Sequence, residues 1–145
     1  MLTSQCMDHT HDVPKTEGQE DLSSSLKELA QVYQSHQQYE DAKLLCRKAL
    51  ALEKLFLGRL HPQVASTTAA LAGIYRDEGE LGQATLLYKQ ALAIAERSLS
   101  SNSLLMSSIL SDLAQCYSQQ ALYGQARRLS MQAKQLEKQA LAMII

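Results

Sequence analysis

The stretch LAGIYRDEGELGQATLLYKQALAI, residues 71–94, decides the fold of this chain. Small residues such as Ala72 and Ala84 stand between large ones such as Leu71 and Tyr75 at regular intervals. Leu71 and Ala72 precede Tyr75 by four and three residues, about one helical turn, so the three fall on one face of a helix. The polar residues DEGE at 77–80 interrupt the pattern, and a second helical stripe follows. The stretch therefore predicts two amphipathic helices joined by a short turn.

The same pattern occurs three times along the chain, at a constant shift of 42 residues. Seven columns of the self-alignment agree without a gap, which chance would rarely produce. In the first copy these columns are Leu29, Ala30, Tyr33, Tyr39, Ala42, Leu45 and Ala49. An internal repeat of this period is typical of stacked helical hairpins, in which each unit covers the apolar side of its neighbour.

Short polar turns connect the two helices of each unit: SHQQ at 35–38, DEGE at 77–80 and SQQA at 118–121. A turn of this length places the two helices antiparallel and side by side. We therefore predict an all-α solenoid of three hairpins over residues 21–145, with units at about 21–60, 61–102 and 103–145. Residues 1–20 lack the periodicity and are expected to form a disordered tail.

Composition removes several classes of function. The net charge of −1 over 145 residues gives no reason to expect nucleic acid or a membrane as partner. Three widely spaced cysteines favour a reducing compartment, and no secretory signal is visible, so a cytoplasmic protein is expected. Cys6, His9 and His11 lie in the unpatterned N-terminus, without the fixed geometry of a metal site. No catalytic constellation is present, and neither a cofactor nor a metal is predicted.

The repeat resembles the tetratricopeptide repeat, whose pattern of large, large, small and aromatic residues followed by three small or apolar ones occurs in each unit. In the first unit these positions are Leu26, Leu29, Ala30, Tyr33, Ala42, Cys46 and Ala49. The long period, with LGRLHPQV at 57–64 and YKQALAI at 88–94, is similar to the kinesin light chain subclass. The resemblance implies a right-handed solenoid whose first helices line a concave groove. It also implies a protein that binds peptides or partner segments there and is not an enzyme.

Residues of the first helices that face away from the core stripe are the candidates for such a groove. They are Lys27, Gln31, Gln34, Ser66, Ala69, Ala70, Gly73, Arg76, Asp77, Ser108, Ser111, Asp112 and Gln115. A solvated face is the competing interpretation. The lysine and asparagine set with which some family members hold a terminal carboxylate is incomplete, as are the paired asparagines of kinesin light chains. The small residues Ala69, Ala70 and Gly73 predict a shallow centre on which a partner backbone or helix lies closely.

A second hypothesis places function at the ends of the array. The chain ends QALAMII, and exposed Leu141, Met143, Ile144 and Ile145 would favour docking. In this alternative the protein is a structural piece that forms a homo-oligomer or docks on a larger repeat array. The sequence leaves both hypotheses open, and it does not identify the protein partner.

Overall fold

Six α-helices and no strand make up residues 13–98 and 103–144, the part of the chain that this computed structural model describes. The helices are α1 (Val13–Ser35), α2 (Tyr39–Leu57), α3 (Pro62–Glu78), α4 (Leu81–Arg97), α5 (Ser103–Gln119) and α6 (Tyr123–Ile144). They pair as α1–α2, α3–α4 and α5–α6, and α2 and α4 each also pack against the first helix of the following unit. The predicted all-α repeat fold is confirmed.

The alanine columns of the repeat are buried in the packed helices. Ala42, Ala84 and Ala126 are buried, and so are Ala49 and its counterparts in the later units. A side chain of one carbon lets two helix axes come close, while neighbouring leucines and tyrosines fill the space beside them. The small-and-large alternation in the sequence is therefore the packing pattern of the core.

Each hairpin turns through one residue in the left-handed backbone region, at positions that are again 42 apart. These residues are Gln37, Gly79 and Ala121, with φ of 63°, 95° and 65°. In each turn the following amide donates to a tyrosine carbonyl five residues earlier, as in Gln38 N–H to Tyr33 O at 2.9 Å. This bond satisfies a carbonyl that the helix end leaves without a partner.

The connector between the first two units ends one helix and begins the next with specific residues. Gly58 follows α2 with a φ of 94°, a region that side-chain-bearing residues rarely adopt. Pro62 is the first residue of α3, where its missing N–H costs nothing. The imidazole Nδ1 of His61 accepts a hydrogen bond from the amide of Gln63 at 3.0 Å and so caps the helix.

The first helix begins at Val13 rather than near residue 21, where the sequence predicted the array to start. The added segment contains lysine, glutamate and glutamine, which are good helix formers, and Pro14 lies in the first turn, where proline is tolerated. A helix can continue through residues without apolar periodicity when their intrinsic propensity is high. The rest of the predicted tail, residues 1–12, with Cys6, His9 and His11, lies outside the described residues.

Candidate functional site

A cavity of about 400 Å³ runs across the first helices of all three units. We call this surface the groove. Of the predicted residues, it is lined by Lys27, Gln31, Gln34, Ser66, Ala69, Ala70, Gly73, Arg76, Ser108 and Asp112. Asp77 and Gln115 stand beside it through hydrogen bonds to groove residues, and Ser111 is exposed on α5 without lining it. The repeat places these side chains together because each first helix presents the same face.

The floor of the groove is made of small residues over a buried tyrosine. Ala69, Ala70 and Gly73 lie on α3, and Tyr88 from α4 lies beneath them. A Cβ placed on Gly73 would stand 3.5 Å from the Tyr88 hydroxyl, an ordinary contact distance. A Cβ at Gly73 therefore fits, but Gly73 itself is buried, so a longer side chain would have to pass the Tyr88 hydroxyl and the Arg76 guanidinium to reach the groove.

Arg76 links the second and third units along one wall of the groove. Its guanidinium donates to the Tyr88 hydroxyl at 3.1 Å and to Gln115 Oε1 at 3.3 Å. Asp77 and Asp112 lie 3.6 Å and 4.0 Å from it. Burial raises the pKa of Asp112 above its usual range, and the charge of Arg76 opposes that shift without cancelling it. The positive charge of Arg76 is thus balanced by two carboxylates, and its guanidinium also donates hydrogen bonds to two neutral acceptors.

Lys27, on the opposite side, is held by a buried carboxylate. Its ammonium lies 3.0 Å from Glu53 Oε2, and the Glu53 side chain is only 2 % exposed. The hydroxyl of Ser23 donates to the same oxygen at 2.8 Å, and that of Thr67 donates to Oε1. Three donors from α1 and α3 therefore surround one acceptor from α2. Lys27 lines the groove, but its charge is satisfied from below.

Sequence reasoning missed the residues that reach the groove from the second helices. Cys46 and Tyr88 occupy one column of the repeat and form the deep part of the cavity. Burial raises the pKa of the Cys46 thiol to about 11 and that of the Tyr88 hydroxyl well above its usual range. Both groups are therefore protonated at neutral pH and act as packing and hydrogen-bonding groups. Because Cys46 and Tyr88 fall in one column of the repeat, that column was the feature of the sequence that could have identified both as groove residues.

The contacts that join one unit to the next also repeat. Lys43 Nζ on α2 donates to Glu78 Oε1 on α3 at 2.8 Å. At the following junction the matching residues are Thr85 and Gln120, and the Gln120 amide donates to the Thr85 hydroxyl at 3.1 Å. Two further equivalent pairs stack a cation on a tyrosine ring at 5.8 Å, Arg47 on Tyr75 and Lys89 on Tyr117. The two junctions therefore have the same register.

The part of the predicted apolar C-terminus that the structure describes is exposed. Leu141 and Met143 are 56 % and 77 % exposed on the last turns of α6. The side chain of Ile144, and Ile145 altogether, lie outside the described residues. Within residues 13–98 and 103–144, no three metal-binding side chains come together, and no helix is long and apolar enough to span a bilayer.

The profile of the tetratricopeptide repeat matches residues 21–97 and 66–139, which together extend over most of the chain. The chain belongs to the tetratricopeptide repeat family. Repeats of this family generally mediate protein–protein interactions. The pattern of large, small and aromatic positions in each unit indicates the same family.

Solved structures agree with this assignment. BtubC (BKLC) from P. vanneervenii superimposes with a TM-score of 0.75 at 19 % identity, over 81 % of this chain and 47 % of that one. A Podosopora anserina protein described as a putative kinesin light chain with nearly identical TPR-like repeats matches at 25 % identity and a TM-score of 0.67, over 81 % and 56 %. A variant of that protein with a single substitution matches at 26 % identity and a TM-score of 0.70, over 81 % and 55 %.

The chain thus spans about half the length of the solved structures that it matches. No curated protein matches it. The similarity to kinesin light chain-like repeats is confirmed, and it concerns the repeat scaffold rather than any one partner.

Proposed function

We propose that this protein is a non-enzymatic interaction module that binds a peptide or a partner segment in the groove. The observation that carries the proposal is the cavity of about 400 Å³, which is continuous over α1, α3 and α5 and floored by small residues. Open, elongated surfaces of this kind suit an extended chain or a helix better than a compact metabolite. The two cysteines among the described residues, Cys46 and Cys116, are free thiols, which suits a reducing compartment such as the cytoplasm.

The charges of the groove suggest which partner chemistry it accepts. Lys27 is satisfied by Glu53, and Arg76 by Asp77, Asp112 and Gln115. Neither cation is left unpaired to clamp a terminal carboxylate, and pulling either from its partners would leave a charge uncompensated. We therefore expect a partner segment that contacts the floor with apolar or small side chains and meets the wall through neutral hydrogen bonds.

The proposal is tested by selecting peptides from a displayed random library and measuring their affinity by fluorescence polarisation. Gly73→Arg fills the floor of the groove, whereas Gly82→Arg places the same side chain on α4, where a Cβ meets nothing within 4 Å. Peptides that use the groove should bind the Gly73→Arg protein at least about ten-fold more weakly and the Gly82→Arg protein as well as wild type. Equal affinity for both variants, with helix content unchanged, would show that the groove is not the site.

A further inference from the structure

The first helix carries an apolar face that its counterparts in the later units bury. Leu29 and Val32 on α1 are 45 % and 51 % exposed, whereas the matching Leu71 and Ile74 on α3 are 4 % and 1 % exposed. The corresponding positions of α5 are buried as well. The three helices differ in one respect: α3 and α5 pack against the second helix of a preceding unit, and α1 has none among the described residues. The exposed face therefore has the shape that receives a second helix.

The last helix carries the other half of such a junction. The positions through which α2 and α4 hold the next unit, Lys43 and Arg47 in the first case, correspond to Arg127 and Met131 on α6. Both are exposed, Met131 to 65 %. The exposed face of α6 therefore corresponds to the face with which α2 and α4 cover the first helix of the next unit, and α1 has no such helix packed on it among the described residues.

The charges of the two end helices continue a pattern seen at both internal junctions. At each of these, a second helix of net charge +1 packs on a first helix of net charge −1, as α2 on α3 and α4 on α5. On α6, four basic residues and one acidic residue give +3. On α1, four acidic residues and two basic residues give −2. The opposite net charges of the two helices favour the approach of α6 to α1 over the approach of two copies of the same end.

We propose that copies of this chain stack head to tail, with α6 of one copy packed on α1 of the next. The internal register then places Met131 against Tyr33 of the next copy, in the way that Arg47 meets Tyr75. It also places Glu137 against Ser25 of the next copy, as the carboxylate of Glu53 meets the hydroxyl of Thr67. Such an interface joins two different surfaces, and because it repeats the register of the internal junctions, each added copy lengthens the solenoid. The groove remains open along it, and the proposal does not depend on what the groove binds.

Two single substitutions, each blocking one end, test the arrangement by sedimentation velocity. Val32→Lys puts a positive charge into the α1 face, where it would meet the basic α6, and Met131→Asp puts a negative charge into the α6 face. Wild type should show a weight-average mass that rises with protein concentration and falls with added salt. Each blocked variant alone should associate at least about ten-fold more weakly, since a buried unpaired charge is costly. An equal mixture of the two should recover a single 1:1 dimer through its two intact ends.

A control variant shows whether the association depends on the two end faces. Leu86→Asp, which changes an exposed leucine on α4 away from both ends, is the matched control and should associate like wild type. Circular dichroism should show the same helix content in all variants, because each substituted side chain is exposed. A wild-type chain that stays monomeric at every concentration would overturn the proposal. So would a Val32→Lys or Met131→Asp protein that associates alone as tightly as wild type, since the substituted face would then take no part in the contact.

Discussion

The ammonium of Lys27 lies 3.0 Å from Glu53 Oε2, which makes a residue of the groove one half of a buried ion pair. Ser23 and Thr67 donate to the same carboxylate, so the pair joins α1, α2 and α3 around one acceptor. Buried charges of this kind cost desolvation and are tolerated only when their partners are complete. The site therefore fixes how the first unit meets the second, and it removes Lys27 from the charges available to a ligand.

We predict that Lys27→Met lowers the free energy of unfolding by about 3 kcal/mol, because it leaves Glu53 buried without its counter-ion. Glu53→Leu should cost a similar amount, because it strands the Lys27 ammonium and the hydroxyls of Ser23 and Thr67. The double variant should be more stable than the sum of the two losses implies, since it removes both charges together. Urea denaturation followed by circular dichroism measures all three. Strictly additive losses would contradict the ion pair.

A second prediction concerns Asp112, whose pKa is raised chiefly by burial, with the charge of Arg76 acting in the opposite direction. The folded protein holds this proton at a higher pH than the unfolded chain does. The stability linked to Asp112 is therefore present below the unfolded value of about 4 and is lost as the pH rises through the folded value. Asp112→Asn, which resembles the protonated form, should raise the thermal midpoint at neutral pH.

The advantage of Asp112→Asn should shrink as the pH falls toward about 4, where the aspartate itself is protonated. Thermal unfolding at a series of pH values therefore provides its own control. If the asparagine variant were instead less stable at neutral pH, the attraction between Arg76 and Asp112 would outweigh the cost of burying the carboxylate.

The sequence alone predicts the scaffold well because helical periodicity and the 42-residue repeat are both properties of spacing. Most candidates for the groove also follow from spacing, since the face opposite Leu29 and Tyr33 is the same in every unit. Glu53 was missed for a different reason: its column holds alanine at 95 and glutamate at 137, and residue type does not distinguish a buried carboxylate from an exposed one. Its partners lie 14 to 30 residues away, beyond any local pattern.

The start of α1 is a feature that apolar periodicity does not predict. The pattern predicted structure only from residue 21 because apolar periodicity begins there, while the helix continues back to Val13 on intrinsic propensity. The left-handed turn residues were hidden as well. Glycine occupies that position only in the second unit, and Gln37 and Ala121 carry no sequence mark of a positive φ.

This turn position provides a third prediction, with opposite signs at equivalent sites. Ala121 has a φ of 65° and Gly79 a φ of 95°, and both close the same hairpin geometry. A side chain in the left-handed region costs about 1 kcal/mol, because its Cβ crowds the following carbonyl. Ala121→Gly should therefore raise the free energy of unfolding by about 1 kcal/mol, and Gly79→Ala should lower it by about the same amount. Gly124→Ala, on α6 where a Cβ meets nothing within 4 Å, is a control in which glycine is replaced without a positive φ. It should stabilise the protein slightly, as alanine favours a helix.

Chemical denaturation of the three variants distinguishes the cost of a side chain at positive φ from the helix preference of alanine. A loss of stability in Ala121→Gly would mean that the third turn tolerates its alanine without strain.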